Sequence, residues 1–184
     1  MDLFHWIAPL YDRIFHFSDP TQLLSLLDLG WDRRLLDVGG GTGRVTSVLA
    51  EHVGQACVID VSWGMLSEAT AKGLCAYQGA AEHLPFPDGA FDRILIVDAF
   101  HHFRDWPRAA AELMRVLRPG GRIVIEELDI RNGVVKLIAL AERLMLMRSR
   151  FYAPADLIRL FHVAGGRATL YEDGGGIYWA VIER

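Results

Sequence analysis

The sequence predicts an α/β fold in which a doubly wound, mostly parallel sheet lies between two layers of helices. Three observations predict it. Short apolar runs alternate with helical patterns from Arg34 onward, a glycine-rich turn follows the first run, and the run 93–97 is apolar on both faces. A strand buried on both faces is typical of a parallel sheet that helices cover on each side, so a three-layer α/β/α arrangement is expected.

Each apolar run is assigned in order along the chain. The predicted strands are 35–38, 56–60, 74–78, 93–97 and 122–126, and the helices among them cover 44–50, 63–69 and 106–117. Ser62 fits the N-cap of the second of these helices because its hydroxyl can accept a hydrogen bond from a backbone N–H, and Gly73 ends that helix. After a helix at 154–164, two strands at 168–171 and 177–182 flank three glycines, which predicts a β-hairpin.

The chain of 184 residues is predicted to form a single domain, 1–184. Before Arg34, apolar helical patterns at 3–17 and 21–29 are separated by Asp19 and Pro20. These patterns precede the first strand of the sheet. Residues 1–30 are therefore expected to form a helical cap across the sheet.

Composition excludes some classes of partner. The formal net charge is −4 and no run of Lys and Arg occurs, so nucleic acid is not expected as a partner. The longest apolar stretch, 134–147, contains Lys136, Glu142 and Arg143, so no transmembrane segment is expected, although weak membrane association stays open. Cys57 and Cys75 lie in or beside apolar runs and are expected to be buried, reduced thiols, as in a cytoplasmic protein, and a single disulfide between them is the alternative.

The most informative segment is the turn after the first strand, in which an acid precedes a cluster of glycines: Asp37, Gly39, Gly40, Gly41 and Gly43. Glycines let a backbone approach a ligand closely, and the following helix presents N–H groups. A dinucleotide-binding pattern would need a glycine at position 44 or 46, where the chain has Arg44 and Thr46. The turn therefore predicts a ligand site of another kind.

Two further segments support a nucleoside ligand. Asp60 ends the second strand, where a carboxylate can accept hydrogen bonds from both ribose hydroxyls, although an acid that caps a helix is the alternative. The loop 79–86 follows the third strand and carries one acid that could hold an adenine edge. Val61 and Met65 could then flank the faces of the ring.

With these features the sequence resembles the class I S-adenosylmethionine-dependent methyltransferases, in the branch related to the ubiquinone and menaquinone biosynthesis enzymes. Four segments carry the resemblance in the same order: 35–43, 59–66, 81–92 and 115–121. They lie within about half of the chain. The resemblance implies a Rossmann-like, seven-stranded sheet whose last strand is antiparallel, in agreement with the predicted hairpin.

The resemblance also implies how the cofactor, S-adenosylmethionine, and its product, S-adenosylhomocysteine, are bound. The backbone around Gly39 and Gly41 would hold the methionine part, and Asp37 would brace the loop. Asp60 would bind the ribose and Met65 would pack on the adenine.

The remaining implied contacts come from later strands. Ala81 and Glu82 would border the adenine, and Asp98 and Ala99 would approach the amino group and the sulfonium. The segment 129–153 is shorter than the insertion that family members acting on quinone precursors usually carry.

Methyl transfer needs alignment of the nucleophile, and it needs a base only when the nucleophile carries a proton. His101 and His102, just past the fourth strand, are the candidate catalytic bases, and the alternative is that they hold the loop or cap the next helix. Adjacent histidines point in different directions and no cysteine lies nearby, so no metal is expected.

The acceptor is expected to be a small, hydrophobic molecule such as a quinol or phenol, because the apolar helix 134–147 lies beside the expected pocket. Candidate contacts to it are Tyr11, His16, Arg150 and Tyr152. The same helix would belong to the core or to a dimer contact, so a monomer and a homodimer both stay open. A catalytically silent cofactor-binding module with a regulatory or scaffolding role is the alternative function.

Overall fold

The fold is taken from a computed structural model that describes residues 20–133, 135–136 and 153–184. The strands are β1 (Arg34–Val38), β2 (Gln55–Asp60), β3 (Cys75–Gln78), β4 (Phe91–Val97), β5 (Leu117–Leu128), β6 (Arg167–Glu172) and β7 (Ile177–Glu183). The α-helices are α1 (Thr21–Leu27), α2 (Arg44–Leu49), α3 (Trp63–Ala71), α4 (Trp106–Val116) and α5 (Pro154–Val163). Short 3₁₀ turns cover Ala50–His52 and Phe100–His102.

Within these residues the strands form one seven-stranded sheet in the order β3-β2-β1-β4-β5-β7-β6. Strands β1 to β5 pair in parallel, whereas β7 is antiparallel to both β5 and β6. The predicted mostly parallel sheet with an antiparallel last strand is confirmed, and so is the terminal hairpin. The strand order reverses between β1 and β4, which is where open sheets of this kind bind ligands.

Helices cover both faces of the sheet because successive strand residues point to opposite sides. Leu36 and Ile94 belong to one buried cluster, which α4 and α5 cover, and Leu35 and Leu95 belong to the other, which α1 and α2 cover. The alternation gives the expected three layers. The part of the N-terminal cap that the structure describes, α1, packs on the sheet through Leu23 and its neighbours. None of the described helices is long and apolar enough to cross a membrane.

Two local expectations were wrong. Ser62 does precede α3, but its buried hydroxyl has no hydrogen-bond partner among the described residues, so it does not cap the helix through its side chain. Instead its backbone N–H donates to Asp60 Oδ1 at 2.8 Å. Cys57 is buried as expected, whereas Cys75 is exposed because β3 is the edge strand of the sheet.

The segment 115–121, which contributed to the family resemblance, has a structural role. The Arg115 guanidinium donates to the carbonyls of Leu84 and Phe86 at 3.0 and 2.8 Å, and its Nε lies 2.7 Å from Glu112 Oε1. A single side chain on α4 thereby holds the loop that connects β3 to β4. This loop forms one wall of the site described below.

The turn after β1 is held against the end of β4 by a contact that leaves no room for a side chain. Gly39 has φ +76°, and a Cβ at this position would lie 2.6 Å from Ala99 Cβ. Gly41 also has a positive φ, +55°, but a Cβ there would meet no atom within 4 Å. A side chain at position 41 would therefore introduce backbone strain alone, whereas a side chain at position 39 would introduce both backbone strain and steric crowding.

This difference predicts that Gly39→Ala destabilises the protein more than Gly41→Ala. Both substitutions impose a left-handed alanine, which costs about 1–2 kcal/mol, and only Gly39→Ala adds overpacking of about 1–3 kcal/mol. Urea unfolding measures both changes in the free energy of unfolding. Adding Ala99→Gly to Gly39→Ala should recover part of the loss, and equal destabilisation by the two single variants would contradict the contact.

Candidate active site

A cavity of about 990 Å³ opens at the carboxyl edge of the sheet, where β1, β2, β4 and β5 end. Of the fourteen expected site residues that the structure describes, thirteen line it: Asp37, Gly39, Gly40, Gly41, Asp60, Val61, Met65, Ala81, Glu82, Asp98, Ala99, His101 and His102. Gly43 does not line it, because its α-carbon faces Ala69 on α3. Tyr11, His16, Arg150 and Tyr152 lie outside the described residues.

The glycine turn forms one end of the cavity. The N–H of Gly39 donates to the Ile59 carbonyl at 2.7 Å, and the N–H of Gly41 donates to Asp60 Oδ2 at 3.0 Å. Both bonds tie the turn to the end of β2. The α-carbon of Gly41 meets no other group on its open side, so the backbone here is accessible from the cavity.

Asp37 lies beneath this turn and is fully buried. Its Oδ2 accepts a hydrogen bond from the Thr46 hydroxyl, whereas Oδ1 has no hydrogen-bond partner among the described residues. A Cβ on Gly40 would lie 2.5 Å from the Asp37 carboxyl, so the acid directly underlies the loop. Burial raises the pKa of the Asp37 carboxyl to about 7, and the nearby charge of Asp60 acts in the same direction.

Asp60 stands at the rim of the cavity with both carboxylate oxygens directed at backbone groups. Oδ2 accepts from Gly41 and Oδ1 accepts from Ser62. Because each carboxylate oxygen can accept two hydrogen bonds, Asp60 retains the capacity to bind a pair of hydroxyls. Beside it, Met65 is buried and Val61 is 65% exposed, which makes this part of the rim apolar.

Glu82, which lines the cavity, also binds backbone groups of a distant segment. Its Oε1 accepts from the backbone N–H groups of Arg104 and Asp105 at 2.7 and 3.2 Å, and Arg108 Nε donates to its carbonyl at 3.1 Å. The side chain thus anchors the segment that starts α4. These partners lie more than twenty positions away in the sequence, and no local pattern indicates them.

His101 forms a buried acid–base pair with a residue that the sequence analysis did not select. Its Nδ1 lies 2.8 Å from Glu127 Oε2, and the two side chains are 2% and 4% exposed. The other carboxylate oxygen, Oε1, accepts from the N–H groups of Phe100 and His101 at 2.7 and 3.3 Å. The feature of the sequence that could have indicated this role is the position of Glu127, an acid that follows the apolar run of β5.

Asp98 lies close to this pair, and the three side chains together could act as cation ligands. Oxygen and nitrogen atoms of Asp98, His101 and Glu127 lie within 4.8 Å of one another, and Asp98 Oδ1 is 3.9 Å from His101 Nδ1. The Glu127 oxygens already accept from two backbone N–H groups and face the imidazole. This arrangement is that of an imidazole hydrogen-bonded to a carboxylate.

The two candidate histidines differ in their electrostatics. Their ring centroids are 4.0 Å apart, and burial together with the charge of His101 lowers the pKa of His102 to about 3. His102 is therefore neutral near pH 7 and a weak base. His101, which faces a carboxylate, is the better candidate for accepting a proton.

The lowered pKa of His102 predicts a pH dependence of stability. An unfolded histidine titrates near pH 6.5, so between about pH 3 and pH 6.5 the unfolded chain binds a proton that the folded chain does not. The contribution of the neutral His102 to the free energy of unfolding is therefore fully present above pH 6.5, and it is lost as the pH falls towards 3. His102→Gln should reduce the slope of the unfolding free energy between pH 4 and 6 by about 1.4 kcal/mol per pH unit.

Denaturant unfolding at several pH values measures this slope. His52→Gln, at an exposed position, serves as the matched control and should leave the slope as in the parent protein. The same slope in His102→Gln would show that His102 titrates normally in the folded protein.

The sequence and fold were compared with known proteins. A family model described as a methyltransferase domain matches residues 36–125. The demethylmenaquinone methyltransferase of Thermus thermophilus is 38% identical in an alignment of 146 positions that covers 68% of this chain and 64% of that protein. The demethylmenaquinone methyltransferase of Mycolicibacterium vanbaalenii is 31% identical in an alignment of 161 positions that covers 79% of this chain and 69% of that protein. This chain thus spans less than two thirds of the Thermus protein.

A solved structure shares the fold over almost the whole chain. The S-adenosylmethionine-dependent methyltransferase from Thermotoga maritima superposes with a TM-score of 0.83 at 22% identity, and the match covers 98% of this chain and 97% of that one. The segment that matches the family model contains the glycine turn, Asp60 and the cavity ends of β1, β2 and β4. The chain belongs to the class I S-adenosylmethionine-dependent methyltransferases, in the branch of the menaquinone and ubiquinone enzymes.

Proposed function

We propose that this protein transfers a methyl group from S-adenosylmethionine to a small hydrophobic acceptor of the phenol or quinol type. The observation that carries the proposal is that a single cavity is lined by the glycine turn, Asp60 and His101, whose Nδ1 lies 2.8 Å from the buried Glu127. At about 990 Å³ the cavity is at the upper end of the usual range for ligand sites, so it has room for a cofactor and a small acceptor. Relatives named demethylmenaquinone methyltransferase support an acceptor of this class.

The residues at the β1–β2 end fit the cofactor. Gly41 offers its backbone without an obstructing atom, and the carboxylate of Asp60 suits the two ribose hydroxyls. Arg44 lines the same end and brings a positive charge that complements the cofactor's carboxylate. Met65 and Ala81 would contact the adenine. When bound, the cofactor supplies an activated methyl group on a positively charged sulfur.

The opposite end suits a hydrophobic acceptor. Val97, Phe103 and Leu128 line the cavity near His101, and their side chains are apolar. Apolar walls exclude water and leave the acceptor few orientations, which is most of what in-line methyl transfer requires of a protein.

His101 is the residue that we assign to accept the acceptor's proton. With its Nδ1–H donated to Glu127, the imidazole carries its basic lone pair on Nε2. Removing a proton from a phenolic hydroxyl raises the electron density on the oxygen and on the adjacent ring carbons. Glu127 is a positioning residue that fixes the tautomer and stabilises the imidazolium as it forms.

The two thiols Cys57 and Cys75, which are not joined in a disulfide, support a reducing location, and we propose that the protein acts in the cytoplasm.

Binding of S-adenosylhomocysteine, measured by isothermal titration calorimetry, tests the cofactor assignment. Asp60→Ala should weaken binding at least tenfold, because two charge-assisted hydrogen bonds of roughly 1.5–3 kcal/mol each would be lost. Asp32→Ala, which removes an exposed acid outside the cavity, should bind like the parent. Unchanged affinity in Asp60→Ala would mean that the ribose lies elsewhere, and no binding by the parent would overturn the proposed function.

Turnover with a panel of phenols and quinols tests the catalytic assignment. His101→Asn should lower kcat by at least about a hundredfold with little change in the affinity for S-adenosylhomocysteine, since general base catalysis contributes about 10²–10⁴. Glu127→Gln should lower the maximal kcat and move the acidic limb of its pH profile to lower pH, because the imidazolium loses its charged partner.

Glu51→Gln removes an exposed acid and is the control for Glu127→Gln. A parent protein that binds S-adenosylhomocysteine but methylates no member of the panel would favour the silent module. Full activity in His101→Asn would rule out His101 as the base.

A further inference from the structure

A second cavity, of about 340 Å³, lies at the amino edge of the sheet, opposite the candidate active site. It forms where β1, β4, β5 and β6 begin and where the antiparallel β7 ends. β4 has seven residues, and at about 3.3 Å per residue the two edges are about 20 Å apart. Six arginines line this cavity: Arg33, Arg93, Arg118, Arg122, Arg167 and Arg184.

The charge at this cavity is opposite to that of the chain. Only two acids, Asp28 and Glu183, line it. A third acid, Asp92, does not line the cavity, but its Oδ1 lies 2.7 Å from Arg118 Nε. The chain as a whole has 19 Lys and Arg residues against 23 Asp and Glu residues. Nearly a third of its basic residues therefore meet at one small cavity, with too few acids to neutralise them.

The base of the cavity is organised around Asp28. This residue ends α1 in a left-handed conformation, with φ 49°, and its Oδ2 accepts from Arg33 Nη1 at 2.6 Å and from Arg93 Nη2 at 2.8 Å. One carboxylate thus serves two guanidinium groups. Arg33 Nε is buried and has no acceptor among the described residues. Burial and the charges of Arg33 and Arg122 lower the pKa of Arg93, as expected where positive charges crowd together.

The other arginines extend from this base to the mouth of the cavity. Arg122 contacts Glu183 at 2.9 Å, and Arg118 is 45% exposed even though it pairs with Asp92. Arg167 pairs with Glu183 through the backbone of β6, and its exposed side chain makes no hydrogen bond or ion pair with the described residues. Arg93 also donates to the carbonyls of Leu27 and Asp92, so it contributes positive charge. The exposed guanidinium groups of Arg118 and Arg167, in contrast, can converge on one ligand.

We propose that this cavity binds the phosphate or diphosphate group of an anionic ligand. Planar guanidinium groups match the oxygens of a phosphate in paired hydrogen bonds, and a multiply charged anion would relieve the repulsion among them. Aside from the acids, the lining consists of arginines and glycines, so no aromatic ring is present to stack on a nucleotide base. The ligand is therefore recognised through its phosphate group.

Isothermal titration calorimetry with inorganic pyrophosphate at low ionic strength tests the site. The parent should bind at one site per chain, and the affinity should fall as salt is added. Arg167→Gln and Arg118→Gln should each weaken binding at least fivefold. Arg159→Gln, which removes the same charge from an exposed position on α5, should bind like the parent.

Two controls keep the result interpretable. Arg167→Gln should bind S-adenosylhomocysteine as the parent does, which shows that the variant is folded and that the two sites are separate. No binding by the parent, or equal weakening in Arg159→Gln, would overturn the proposal and leave an ion-pair network that only stabilises this edge.

Vesicles distinguish a soluble phosphate from a lipid headgroup. A lipid headgroup is the ligand if the protein sediments with phosphatidylglycerol vesicles but not with phosphatidylcholine vesicles. In that case Arg167→Gln should weaken the sedimentation, and added pyrophosphate should release the protein from the vesicles. Pyrophosphate binding without sedimentation would identify a soluble phosphate compound. Either outcome supports a phosphate site at this edge.

Discussion

The candidate active site depends on one close approach, between the turn that follows β1 and the end of β4. At Gly39 the two segments are so near that the Cβ of Ala99 occupies the space a side chain would need. The contact lies where the strand order reverses, so it sets how far the glycine turn is from the 3₁₀ turn that carries His101. Cofactor and base can act on one acceptor because this distance is fixed.

Carboxylates hold the remaining parts of the site: Asp60 at the rim of the cavity, and the buried Glu82 and Glu127. Asp60 joins the turn after β1 to the start of α3, and Glu82 anchors the segment that leads into α4. Glu127 binds two backbone N–H groups and the imidazole at once. Hydrogen bonds to a charged group are stronger than hydrogen bonds between neutral groups. These acids therefore fix the positions of the loops around the site.

Local patterns were sufficient to predict the strands and the glycine turn, because side-chain period and glycine content act over a few residues. They also identified Asp60, and together with the family resemblance they named 13 of the 28 residues that line the cavity. The role of Glu127 could not be predicted, since its partners lie 26 and 27 positions away. The exposure of Cys75 was missed for a related reason, because a strand's place at the edge of a sheet is set by topology.

The cavity lined by arginines could not be predicted from local sequence patterns either. Its members are scattered from Arg33 to Arg184, so no run of positive charge marks it in the sequence. Net charge describes the whole chain and does not describe the surface that the fold assembles at one sheet edge.

The insertion of β7 between β5 and β6 has a consequence for how the protein is made. During synthesis β6 emerges first, yet its native neighbour on the sheet is β7, which the ribosome has not yet produced. Until β7 pairs, the nascent chain exposes the outer edge of β5, a long strand with unpaired backbone groups that can join to another chain. The five strands that form the cofactor end can assemble earlier, so quality control in the cell would act chiefly on the last hairpin.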